Sequence, residues 1–250
     1  MKKLERTDLA CEKSKNIISD YDTFMEEVFG ISILCSRKRI DPSSESSILT
    51  VGNVWMYNEE YRKNASLAIS TKIKEYTNTG SSKGKRILIV GLGNRFITSD
   101  ALGSYVINEL YPTIRIEGFE NKIYLLAPGV EGQTGIATFD IITGAIGLSS
   151  ADLVIVIDSL CSNRTERLLT TIQISTEGIM PGSGVGNHKK EISKNTVGVP
   201  VIWIGTPTVT DLNQFESTDL KYYVTPNDID ISLKSISKII AKGIEIALYK

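Results

Sequence analysis

Ile87-Leu88-Ile89-Val90 is an unbroken apolar run that ends in Gly91-Leu92-Gly93-Asn94, and no other segment constrains the fold as much. A strand with one wet face alternates polar and apolar residues. An uninterrupted run is buried on both faces, as in a parallel sheet covered by helices. The unit recurs. A helix is expected over residues 100–111, with Leu102, Tyr105, Val106 and Leu110 as its stripe. A strand follows at 122–127, then a glycine loop and a helix near 134–146. Next come a strand at 153–157, an extended stretch at 170–175, a glycine loop at 178–187 and a strand at 199–205. The closing helix is expected to take Thr225 as its cap and Pro226 at its first position, burying Leu233, Ile236, Ile240 and Ile244. Upstream, the first thirty residues are polar, with a partly helical segment from about Thr23 to Phe29. Strands near 31–35 and 48–56 and a helix over 59–76 follow. This alternation predicts an α/β fold: a mostly parallel twisted sheet flanked by helices, with a small N-terminal extension.

Open α/β sheets bind ligands at the carboxyl ends of their strands. Asp100 follows the strand at 87–90, and Asp158 closes the strand at 153–157. If those strands are neighbours, the two carboxylates face one cleft. Nearby carboxylates split their proton affinities, so one serves as acid and the other as base. An aspartate at either position can also simply cap a helix or end a strand.

Composition narrows the chemistry further. The chain of 250 residues has one histidine, His188, so a zinc site built on two histidines is impossible and any triad runs through that residue. Lys and Arg number 28 against 29 Asp and Glu, giving a net charge of -1 and no basic excess for gripping nucleic acid. Three cysteines, Cys11, Cys35 and Cys161, form no metal or disulfide spacing. The N-terminus lacks a signal-type apolar stretch and no run reaches membrane-spanning length, so a cytoplasmic protein is expected, with neither metal nor cofactor.

The glycine motifs do not fit nucleotide patterns. Phe96 stands where a dinucleotide fingerprint needs its third glycine, and 178–187 misses the phosphate-loop spacing. Residues 127–135 (APGVEGQTG) carry Gln133 and Thr134, which can orient a substrate amide or cap the next helix. The loop 178–187 carries Ser183 and Asn187 and is followed by Lys189 and Lys190. It can hold peptide main chain or serve as a plain turn.

Several segments together resemble the germination protease family, the spore endopeptidases that degrade small acid-soluble spore proteins. They are GLGNRFITSDALG (91–103), APGVEGQTGI (127–136), DLVIVIDSL (152–160), TTIQIS (170–175), GIMPGSGVGN (178–187) and VGVPVIWIGTPTV (197–209). RTDLACE (6–12) resembles the start of the family's zymogen, and YVTPNDID (223–230) its C-terminus. The resemblance implies a fold like that of hydrogenase-maturation endopeptidases and an atypical aspartic endopeptidase without a firmly held metal. Its two aspartates fall on Asp100 and Asp158, with Asn94, Gln133, Thr134, Ser183 and Asn187 in support. It also implies a self-processing precursor cut between Asp8 and Leu9, giving a propeptide 1–8 and a single peptidase domain 9–250. Further implications are spore proteins as substrates, a homo-oligomer, no direct contact with nucleic acid or membrane, and a place in the forespore or spore core.

The chain departs from the family at Arg95-Phe96, where Trp-Asn is usual, at Ser99 and Ser104, where Pro is usual, and over 159–164, where the arginine is displaced to Arg164. A cysteine at 161 implies sensitivity to thiol reagents. Two other readings remain open at this point: a metal-dependent maturation endopeptidase of the same fold, and a catalytically impaired sporulation paralogue acting as a binding protein.

Overall fold

The computed structural model describes residues 20–77, 84–183, 189–212 and 222–249. The expected cut at Asp8–Leu9, Asn187 and His188 lie outside them. Nine strands among the described residues form one sheet. They are β1 (Tyr21–Val28), β2 (Ile31–Lys38), β3 (Glu45–Thr50), β4 (Arg86–Gly91), β5 (Lys122–Leu126), β6 (Leu153–Ser162), β7 (Thr171–Ser175), β8 (Val201–Asp211) and β9 (Tyr223–Val224). The helices are α1 (Glu59–Thr77), α2 (Leu102–Glu109), the short α3 (Glu131–Thr134), α4 (Thr138–Ser149), the short α5 (Lys194–Val197) and α6 (Ile229–Leu248).

The strand order is β1-β2-β3-β7-β8-β6-β4-β5, with β9 beside β8. Strands β5, β4, β6 and β8 run parallel, as the apolar runs predict. The sheet is nevertheless mixed, because β7, β3, β2 and β1 continue it as an antiparallel wing. Ile87 and Ile89 pack on one face under α1, α2 and α6, while Leu88 and Val90 pack on the other under α4. Burial on both faces is what removed any alternation from this segment. Gly243 of α6 lies so close to Ile69 of α1 that a Cβ there would stand 2.5 Å from the isoleucine Cγ2.

Four expectations need correcting. The segment 23–29 is not helix: it belongs to strand β1 as far as Val28, and Phe29 and Gly30, at φ 53 and 74, make the tight turn that folds β1 onto β2. Pairing along the full length of β2 overrides the weak local preference. Strand β3 ends at Thr50, short of Met56, where residues 54–56 form a helical turn. Strand β6 runs on to Ser162, so Asp158 lies within it, opposite Gly205 of β8. Helix α6 begins at Ile229 with Asp228 as its cap residue; the Thr225 hydroxyl instead donates to the Thr208 carbonyl at 2.7 Å. Among the described residues no helix is long and apolar enough to cross a membrane.

Candidate active site

The chain leaves β4 through α2 to reach β5 on one side, then returns through α4 to β6 on the other side of β4. The sheet therefore changes direction between β4 and β6, the place where α/β sheets open a ligand crevice. Pairing between them stops at Gly91 and Ile157. Asp158 is the next residue of β6. Asp100 stands at the entry to α2, on the loop that leaves β4. Both line one cleft of about 790 Å³.

The loop from 91 to 103 is held by close approaches only glycine allows. A Cβ on Gly91 would strike the backbone of Gly103, and one on Gly103 would strike Leu92. Gly93 has φ +96, and a Cβ there would strike the Asp100 carbonyl and lie 2.9 Å from its Oδ1. Folded back in this way, the loop aims the Asn94 N–H at Asp100 Oδ2, 2.8 Å away. Burial pushes the Asp100 carboxyl up from its ordinary value, partly offset by that N–H and by the charge of Lys189.

Two further bonds tie this loop to the sheet. The Leu102 N–H donates to Ser159 Oγ on β6 at 3.4 Å, and the Thr208 hydroxyl of β8 donates to the Ser99 carbonyl at 2.6 Å. Thr208 is the extra residue of a β-bulge, since Leu160 pairs with Pro207 and Cys161 with Val209. Bulges near sites re-aim side chains in this way. Asp158 is 6% exposed, and its Oδ1 accepts the Ser159 N–H at 2.9 Å.

The supporting residues are placed unevenly. The Asn94 side chain faces away from the Asp100 bond: its Oδ1 accepts from Gln133 Nε2 at 2.9 Å and from the Phe96 N–H at 3.0 Å. This links the 91–103 loop to α3, and the contact with Asp100 is made by the Asn94 backbone. The Thr134 hydroxyl is taken up by its own turn, donating to the Ile136 carbonyl at 3.0 Å. Neither Gln133 nor Thr134 lines the cleft; Gly129, Val130, Glu131 and Gly132 from the same loop do. Pro181 and Gly182 line it too, while the N–H of Ser183, just outside, closes a turn to Met180. Cys161 borders the cleft but is only 1% exposed. Arg164 is exposed, lies 3.9 Å from Glu166 and is not among the cleft-lining residues. Among the described residues no three of His, Cys, Asp and Glu converge on a point that can hold a metal ion.

Sequence reasoning missed Thr208, Ser159 and Glu131. A signal existed for the first. Thr206, Thr208 and Thr210 recur at every second position of a strand that is otherwise apolar up to Asp211, and all three are fully buried.

Residues 44–224 match the family model for germination protease. The chain is 48% identical over 154 residues to the germination protease of Bacillus subtilis, a match covering 58% of this chain and 42% of the relative. It is 35% identical over 265 aligned positions to that of Bacillus cereus, covering 95% of this chain and 69% of the relative. Both relatives are longer than this chain. Among solved structures, a NiFe hydrogenase maturation protease from Thermococcus kodakarensis is similar at 22% identity with a TM-score of 0.42, covering 68% of this chain and 96% of that one.

Proposed function

The chain belongs to the germination protease family, and from that premise we propose that it is an endopeptidase that begins the breakdown of small acid-soluble, DNA-coating spore proteins at germination. The observation that carries this reading is the presence of two carboxylates, Asp100 and Asp158, in one cleft at the point where the parallel sheet changes direction. Two carboxylates in one site cannot easily both ionise. Burial raises the Asp100 carboxyl, and Asp158 is buried as well; one of the pair donates a proton to the leaving amine while the other takes a proton from the attacking water.

Gly129, Gly132 and Gly182 present no side chain to the cleft, which lets an extended substrate backbone lie close at those positions. In this reading residues 1–8 are a propeptide that the enzyme removes itself between Asp8 and Leu9, and residues 9–250 are the peptidase. The work is done in the spore core, on proteins that coat DNA and without a grip on DNA.

Incubation with a purified small acid-soluble spore protein, followed by mass mapping of the fragments, tests the proposal. Cuts between an acidic and an apolar residue are expected. An intact substrate, with the chain trimmed and folded, would overturn the reading.

A further inference from the structure

We propose that Lys189 and Lys190 form a carboxylate-binding subsite in this cleft, which selects peptides carrying an acidic side chain beside the bond to be cut. The inference rests on the peptidase reading above and adds to it the residues that set specificity.

Both lysines line the cleft, together with Asp100, Asp158 and Glu131. With three carboxylates and no counter-charge, such a cleft would repel an acidic peptide. The lysines are the cations among its described lining residues. Lys72 is paired with Glu26 and Glu75, and Lys242 with Glu245, whereas neither Lys189 nor Lys190 makes an ion pair among the described residues.

Their placement is not that of freely moving surface side chains. Lys190 is exposed, but its Nζ sits 3.8 Å from the ring centre of Phe139, itself part of the cleft wall, a contact that favours this position of the ammonium. Lys189 is half-buried and near enough for its charge to act on Asp100. A substrate carboxylate bound by Lys189 would lie in the cleft that Asp100 and Asp158 share. The apolar lining of Val130, Phe139, Leu160 and Val209 is there to take a neighbouring apolar side chain.

The test uses the full chain and two peptides that differ only in Glu or Gln immediately before the scissile bond. Wild type should prefer the Glu peptide. Lys189→Gln should lower kcat/KM for the Glu peptide by about 10- to 100-fold more than for the Gln peptide, the usual effect of losing a charge-assisted hydrogen bond. Lys189→Arg should retain the preference, and Lys190→Gln should reproduce a smaller part of the loss. Equal losses on both peptides, with a shifted pH profile, would mean that Lys189 acts only on Asp100 and would overturn the subsite.

Binding of the same peptides to Asp158→Asn, by fluorescence anisotropy, separates this claim from the peptidase reading. A Glu preference that disappears in Lys189→Gln/Asp158→Asn upholds the subsite even if wild type cuts neither peptide. Equal binding of Glu and Gln peptides overturns it.

Discussion

Replacing Thr208 by valine should slow the reaction far more than it weakens the fold. The Thr208 hydroxyl donates to the Ser99 carbonyl at 2.6 Å, one residue before Asp100, and Thr208 itself is fully buried. Valine keeps the shape but puts a methyl where the hydroxyl was. Carbon sits about 3.3–3.6 Å from a carbonyl oxygen, so the Ser99 carbonyl must retreat by about 0.7–1 Å. Losing the hydrogen bond and leaving the carbonyl poorly served should cost about 1–3 kcal/mol. In a chain of this size that lowers Tm by about 2–12 °C. Asp100 moves with Ser99, and a misplacement near 1 Å costs on the order of 100-fold in rate. Thermal melts together with turnover of a spore-protein peptide would show a modest fall in Tm and a large fall in kcat at nearly constant KM. Thr208→Ser, which keeps the hydroxyl, should recover most of kcat despite losing a methyl. A Thr208→Val enzyme that melts lower yet turns over at the wild-type rate would refute the positioning argument.

Other substitutions probe the same loop. Gly93→Ala places a side chain at φ +96 and against the Asp100 carbonyl. Urea unfolding should show a loss of at least about 1–2 kcal/mol from backbone strain alone, and activity should fall with it. Because burial raises the Asp100 carboxyl, its contribution to stability is full below its unfolded value and is lost as pH rises through its folded value. Asp100→Asn should therefore be more stable than wild type at neutral pH and lose that advantage in acid, as melts across the range would show. Cys161, 1% exposed, should react with a thiol reagent only on unfolding, so native labelling should leave activity intact.

The parallel half of the sheet was legible because strands buried on both faces leave no polar residue to interrupt the run from Ile87 to Val90. Asp100 and Asp158 were legible for a related reason, as the first acidic residues past two such runs. The antiparallel wing was harder to read. Nothing in Thr23-Phe24-Met25-Glu26-Glu27 declares a strand, and β1 exists because Phe29 and Gly30 turn it onto β2. The extension of β6 through Asp158 depends on β8 as a partner, a contact distant in sequence. Thr208 owes its role to a bulge, which only the paired register reveals. Asn94 meets Asp100 through its backbone N–H while its side-chain amide joins Gln133, a division of labour that the sequence does not disclose.

The claim that Asp100 and Asp158 together carry out the chemistry is tested most directly by following the mass of the chain's own N-terminus. Wild type, Asp100→Asn and Asp158→Asn, each shown by circular dichroism to be folded, would be held under mildly acidic, dehydrating conditions. Loss of residues 1–8 from wild type alone is the predicted result. Trimming of either variant at the wild-type rate would contradict the account.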